Sequence, residues 1–140
     1  MRKMTERDSD KSGIVIDTYA WIEYFRGSAE GIKAKKFIEG NSSLFTPSIV
    51  IAEMSDKYRR EGIAEWDIRK KFITVKSKII DLNESIADKS GELKQEMRRD
   101  FKDIGLADAI VAAHSYILGA RILTGDKHLR NMDKAIDISH

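Results

Sequence analysis

Gly13-Ile14-Val15-Ile16-Asp17-Thr18-Tyr19-Ala20-Trp21 is the stretch that decides the fold class. Three β-branched apolar residues run without interruption from a glycine to an aspartate. Such a short, continuous apolar run suits a strand buried on both faces. The aspartate stands where that strand ends and where a helix begins. In parallel α/β sheets this carboxyl edge is where ligands bind. Three more acidic residues, Glu53, Asp108 and Asp126, each lie beside an apolar run further along the chain.

Working outward, further strands are expected at Leu44–Thr46, Ile79–Leu82 and Arg121–Thr124, with Ala135–Ile138 as a fifth. Helices are expected between them. Thr18–Arg26 turns Trp21, Ile22 and Phe25 inward, and Ala29–Glu39 has Ile32, Lys36 and Phe37 at helical spacing. The Thr46-Pro47 pair predicts a helix from Pro47 to Glu61, with Thr46 as N-cap and proline at the first helical position. Ala64–Lys76 is amphipathic, with Ile68, Phe72 and Val75 as its apolar stripe. Asn83 caps a helix reaching Arg99. The alanine-rich segment Leu106–Leu118 forms the last helix, closed by Gly119, and its small side chains allow close approach to a sheet. Strands alternating with helices predict an α/β fold, a mostly parallel sheet of four to five strands between two helical layers. Residues 1–12, charged and polar, read as a mobile lead-in, and residues 13–140 as one domain.

Composition narrows the function. With 140 residues, 41% hydrophobic and 34% charged, the chain has the make-up of a globular domain rather than a disordered one. It has no cysteine, which excludes a disulfide scaffold, a thiolate zinc site and a cysteine nucleophile, and agrees with a cytoplasmic protein. No apolar run approaches the ~20 residues of a membrane helix, and the charged N-terminus is not that of a signal peptide. A net charge of +2 gives no bulk signal for nucleic acid. Basic residues do cluster, at Lys57-Tyr58-Arg59-Arg60, at Arg69-Lys70-Lys71, from Lys76 to Lys78 and at Arg98-Arg99 with Lys102.

Each of the four acids has a local explanation. Asp17 suits a helix N-cap, as Asp126 suits the cap of the turn that follows it. Glu53 has Lys57 at i+4, an ion pair contributing about 0.3–0.5 kcal/mol. Asp108 falls in the first turn of a helix, where the dipole favours a negative charge. Jointly they say more. Two aspartates end strands and the other two acids lie early on helices, and in a parallel α/β sheet those ends share one edge. Carboxylates gathered there at about 4 Å repel by about 4 kcal/mol per pair at an effective dielectric of 20, so the cluster calls for a cation. All-oxygen ligands suit Mg²⁺ or Mn²⁺.

Ile14-Val15-Ile16-Asp17-Thr18, Ile51-Ala52-Glu53, Leu106–Ala113 and Leu123-Thr124-Gly125-Asp126-Lys127-His128-Leu129 together resemble the PIN domain, and most nearly the single-domain ribonuclease toxins of the VapC type. The resemblance runs from Gly13 to Ile138. It departs at Gly105, where the family often has serine, and in the longer charged lead-in. It implies a three-layer α/β/α sandwich and a metal-dependent endoribonuclease holding one or two Mg²⁺ or Mn²⁺ ions. Asp17, Glu53, Asp108 and Asp126 would be the catalytic and metal-site carboxylates, with Thr124 as a supporting hydroxyl. It further implies an RNA substrate, a homodimer and a cognate antitoxin. Arg98, Arg99 and Lys102, leading into the Asp108 segment, are the preferred substrate contacts. His114, Trp21 and Trp66 read as packing residues, and the resemblance gives His128 no role. Asp56 and Asp103 read as surface charges near the acidic set. The alternatives are a non-catalytic PIN-like RNA-binding or scaffold protein, and an RNA-processing nuclease outside any toxin–antitoxin pair.

Overall fold

β1 (Ile14–Ile16) is buried along its whole length, and the sheet is assembled around it. In the computed structural model, which describes residues 13–139, β1 pairs in parallel with β2 (Leu44–Pro47) on one side and β4 (Arg121–Thr124) on the other. β3 (Lys78–Ile80) extends the sheet beyond β2, and β5 (Ala135–Asp137) extends it beyond β4. The order is β3-β2-β1-β4-β5, with every pairing parallel. A strand in the middle of such a sheet has no solvent face, which is why β1 carries no polar residue. The expected lead-in over residues 1–12 lies outside the described residues.

Six helices occur among the described residues: α1 (Thr18–Arg26), α2 (Ala29–Ile38), α3 (Ser48–Arg60), α4 (Trp66–Lys76), α5 (Glu84–Met97) and α6 (Leu106–Leu118). Right-handed crossovers put α1–α4 over one face as the chain steps from β1 to β2 to β3, and α5–α6 over the other as it returns to β4. The result is the α/β/α sandwich expected from the sequence. Asn83 caps α5, accepting from the Ile86 N–H at 2.9 Å. Gly27 and Gly119, at φ 66° and 63°, end α1 and α6 in the left-handed conformation that glycine adopts without strain. No helix among the described residues is long and apolar enough to cross a membrane.

Three local expectations fail, each for a tertiary reason. Thr46 is not a helix cap. It belongs to β2, its side chain is fully buried, and Pro47 occupies the cap position of α3 without a side-chain hydrogen bond. The Thr46 hydroxyl has buried partners instead. It accepts from Trp21 Nε1 at 3.1 Å and lies 2.7 Å from Ser77 Oγ. Ser77 gives its own proton to the Ile73 carbonyl at 2.7 Å, so Thr46 must be the donor to Ser77. This relay ties α1, β2 and the end of α4 together.

In α2 the buried face is Gly31, Ala34 and Ile38, while Ile32 and Lys36 are exposed. α2 lies so close to the end of α1 that a Cβ on Gly31 would overlap the Glu23 carbonyl, so that position of the contact face requires glycine. In α4 the buried residues are Trp66 and Ile73. Ile68 and Val75 are exposed to 75% and 81%, so the expected stripe turns mostly to solvent. Between Trp66 and Ile73 sits Arg69, whose guanidinium lies over the rings of Phe25 and Tyr58, 5.4 and 5.3 Å from their centroids. The inward face of α4 thus includes a cation on aromatic surface, which a count of apolar residues misses.

Candidate active site

Strand order reverses between β1 and β4, because the chain leaves β1 toward β2 and comes back to β4 on the other side. Loops diverge at the carboxyl edge of such a pair and leave a crevice. Asp17 follows β1 and Asp126 follows β4, while Glu53 comes from the second turn of α3 and Asp108 from the first turn of α6. All four carboxylates line one cleft of about 240 Å³, with Thr18, Tyr19 and Ile22 of α1 and with Val111 and Leu129. A larger hollow of about 610 Å³, bordered by Leu93, Met97, Tyr116 and Met132, contains none of them.

Asp17 is the deepest, 3% exposed. It caps α1, accepting from the Ala20 N–H at 2.7 Å, so its local explanation holds alongside its position in the cleft. Burial pushes its carboxyl up to about 7. Hydrogen bonds from Thr124 and Ala20 oppose the rise, and the charges of Asp126 and Asp108 add to it. Glu53 is half-buried and accepts from the Thr18 hydroxyl at 2.7 Å. Its affinity for a proton is raised by burial, lowered by that hydrogen bond, and raised again by the charges of Asp108 and Asp126. Lys57, the partner expected from spacing, bonds Glu61 at 2.7 Å instead.

Asp108 is also held above the ordinary carboxylate range, by burial first and by Asp126 second, with His128 opposing. It takes a hydrogen bond from the backbone of Gly105 at the helix start, so an acid three residues in secures a cap position that has no side chain of its own. Asp126 accepts from the His128 N–H at 2.8 Å, and its own N–H donates to Thr124 Oγ1 at 3.0 Å. Thr124, fully buried, therefore contacts both strand-end aspartates. Gly125 is required by close approach: a Cβ there would land in the Tyr19 ring that closes this side of the cleft.

Two residues in the site carry no sequence expectation. Thr18 is one, as the donor to Glu53. His128 is the other; it is not among the residues lining the cleft but contacts two of its acids. Its side chain is only 10% exposed, with Nδ1 3.1 Å from Asp108 Oδ2 and 3.5 Å from Asp126 Oδ1. Its Nε2 lies 3.1 Å from Asp103 Oδ1, which makes Asp103 part of the same network rather than a free surface charge. Proximity to Asp126 was the available sequence signal, but contact with Asp108, 20 residues away, required the fold. Arg98, Arg99 and Lys102 are exposed on the stretch between α5 and α6 and are not among the residues lining the cleft. Asp56 pairs with Arg60 on the exposed side of α3. Trp21, Trp66 and His114 are buried packing residues, as expected.

Among the described residues no lysine or arginine forms an ion pair with any of the four carboxylates; Asp108 and Asp126 meet only the imidazole. Four acids without a fixed cation, three of them with raised proton affinity, fit a divalent ion held by oxygen. Asp108, Asp126 and His128 each offer a donor atom within 4.8 Å of the others.

A five-stranded parallel sheet with acids converging at the β1–β4 switch point defines the class. The chain belongs to the PIN domain family, whose match covers residues 14–135. PIN domains are nucleases. Among solved structures, the chain is similar to a toxin–antitoxin complex from Klebsiella pneumoniae at 20% identity, over 90% of this chain and 98% of that one, with a TM-score of 0.72. It is similar to VapBC2 from Rickettsia felis bound to a promoter DNA fragment, at 19% identity over 88% and 95% of the two chains, TM-score 0.64. It is also similar to DNA-bound VapBC from Salmonella typhimurium, at 16% identity over 90% and 98%, TM-score 0.66. No curated protein matches the sequence.

Proposed function

We propose that this chain is a divalent-metal-dependent endoribonuclease, the toxin of a VapC-type toxin–antitoxin pair. The observation that carries the reading is the convergence of Asp17, Glu53, Asp108 and Asp126 in one cleft with, among the described residues, no lysine or arginine as an ion-pair partner. Bound there, Mg²⁺ or Mn²⁺ would lower the pKa of an attacking water and neutralise charge building on the phosphate. Asp17 and Asp108 are the direct ligands in this reading. Glu53, held by Thr18, orients the water, and Asp126 completes the acidic set. Thr124 fixes Asp17 and the Asp126 backbone together, so the two strand-end acids keep their spacing. Products are expected to carry 5′-phosphate and 3′-hydroxyl ends.

Arg98, Arg99 and Lys102 would lie along the RNA backbone. Three phosphate contacts to single-stranded RNA would give a salt slope of about −2 in log affinity. The solved relatives that support a partner are toxin–antitoxin assemblies. An antitoxin segment carrying a cationic side chain has electrostatic reason to cover the acidic cleft. A homodimer and a cytoplasmic setting belong to the same reading.

The test is Mn²⁺-dependent cleavage of a mixed, structured RNA pool by partner-free protein, beside an Asp108→Asn variant, with the ends mapped. Cleavage that needs metal, disappears in the variant and leaves 5′-phosphates supports the proposal. Equal cleavage by Asp108→Asn, or in the presence of EDTA, overturns it.

A further inference from the structure

His128 is held on both sides. Its Nε2 lies 3.1 Å from Asp103 Oδ1, and Asp103 is steadied by Lys127 at 3.3 Å. The edge-to-face contact with Phe101, centroids 5.2 Å apart, fixes the plane of the ring. Nδ1 is aimed at the carboxylates, 3.1 Å from Asp108 Oδ2 and 3.5 Å from Asp126 Oδ1. An imidazole that donates one ring N–H to a carboxylate presents the lone pair of its other nitrogen, and histidines that bind metals are oriented in this way. The spacing agrees. Metal–nitrogen and metal–oxygen bonds near 2.0–2.1 Å separate neighbouring donors at right angles by roughly 2.9 Å. The Nδ1–Oδ2 distance of 3.1 Å is close to that value before any adjustment.

We propose that His128 Nδ1 is a metal ligand beside Asp108 and Asp126, and that it tunes the site toward Mn²⁺ over Mg²⁺. The inference rests on the metal-dependent reading above and sharpens it. Mg²⁺ is a hard ion that favours oxygen and keeps its waters, whereas an imidazole nitrogen favours later divalent ions. Asp103 and Phe101 are then positioning residues, acting through the ring. A metal-bound nitrogen must be unprotonated, so the ring would bind as the tautomer whose Nε2–H donates to Asp103.

The experiment uses the full chain, free of partner, loaded with Mn²⁺ at one equivalent. Pulsed electron paramagnetic resonance reads nitrogen directly bonded to the ion, and calorimetry reads Mn²⁺ and Mg²⁺ affinity, in wild type, His128→Asn, His128→Gln and Asp108→Asn. The expected result is a ¹⁴N coupling in wild type that is lost in both His128 variants. Their Mn²⁺ affinity should fall by roughly tenfold or more, with a smaller change for Mg²⁺. If both His128 variants fail to fold, protein grown with ¹⁵N-histidine and carrying His140→Asn keeps the test: His114 is fully buried, so the coupling must change to the ¹⁵N pattern through His128, and an unchanged coupling overturns its role. Mn²⁺ that binds through Asp108 with no nitrogen coupling overturns the role of His128 and leaves the acidic site standing. Absence of any Mn²⁺ binding to folded protein overturns both.

Discussion

Replacing Asp17 with asparagine is expected to stabilise the metal-free protein at alkaline pH. Asp17 is buried, and the folded chain raises its carboxyl from 3.8 to about 7. The folded state therefore holds this proton more tightly than the unfolded state does. Unfolding free energy falls as pH climbs from about 4 to about 7, and the loss is complete above that. At 1.36 kcal/mol for each factor of ten in proton affinity, the penalty reaches on the order of 4 kcal/mol at pH 8. Asparagine carries no charge at any pH, and its side-chain oxygen keeps the cap on the Ala20 N–H. Its amide must share Thr124 Oγ1 with the Asp126 N–H, which makes 4 kcal/mol a ceiling and about 2 kcal/mol a reasonable floor. Urea unfolding in EDTA, wild type against variant, should show this gain at pH 8 and less than about 1 kcal/mol at pH 4. Adding Mn²⁺ at a hundred times its dissociation constant should return about 2.7 kcal/mol to wild type and little to the variant. A variant no more stable than wild type at pH 8, or an equal gain at both pH values, refutes the account of Asp17 as a strained ligand.

Other substitutions separate the remaining parts of the structure. Thr18→Val removes the hydrogen bond that lowers the Glu53 carboxyl, so the acid limb of the metal-dependent activity profile should move to higher pH, with folding unchanged by circular dichroism. Thr46→Val leaves the Trp21 indole N–H buried without a partner, and thermal unfolding should register a loss of about 1–3 kcal/mol, which Thr46→Ser largely avoids. Gly31→Ala should cost about 1–3 kcal/mol by forcing α2 away from the Glu23 carbonyl. Gly91→Ala, in mid-α5 with open space around it, should gain about 0.5–1 kcal/mol, and the opposite signs are readable in one set of melts.

Legibility from sequence followed how local the determining physics is. β1 and α6 could be read to within a residue, because a strand buried on both faces tolerates only apolar residues and an alanine-rich helix closed by glycine has a local stop. The pairing order could not be read residue by residue, but alternation of strands and helices restricts it to a parallel sheet, and that put the four acids on one edge. Thr46 misled because Thr-Pro is a sound helix start in isolation. The buried indole of Trp21, 25 positions away, needed the hydroxyl more. α4 misled because it carries two apolar stripes. The inward one is Trp66 and Ile73 with Arg69 between them, and the guanidinium reads as polar in the sequence although it lies over the rings of Phe25 and Tyr58.

The same distinction explains what was missed in the cleft. Asp17, Glu53, Asp108 and Asp126 are conspicuous because charge beside an apolar run is costly and demands a reason. Thr18 and His128 show no such cost, the first because a hydroxyl is uncharged and the second because it follows Lys127 in a polar turn. Their importance comes from partners 35 and 20 residues away. Each contacts a carboxylate in the cleft, so each acts on how strongly that acid holds its proton. Thr18 lowers the proton affinity of Glu53, while His128 opposes the rise at Asp108. A site built from acids alone would hold its ion only at a pH high enough to ionise all of them against burial and mutual repulsion. Thr18, a neutral donor, counters that at Glu53 without placing a positive charge in the cleft, whereas His128 opposes the rise at Asp108 only as a charged ring and would have to give up that proton to bind a metal.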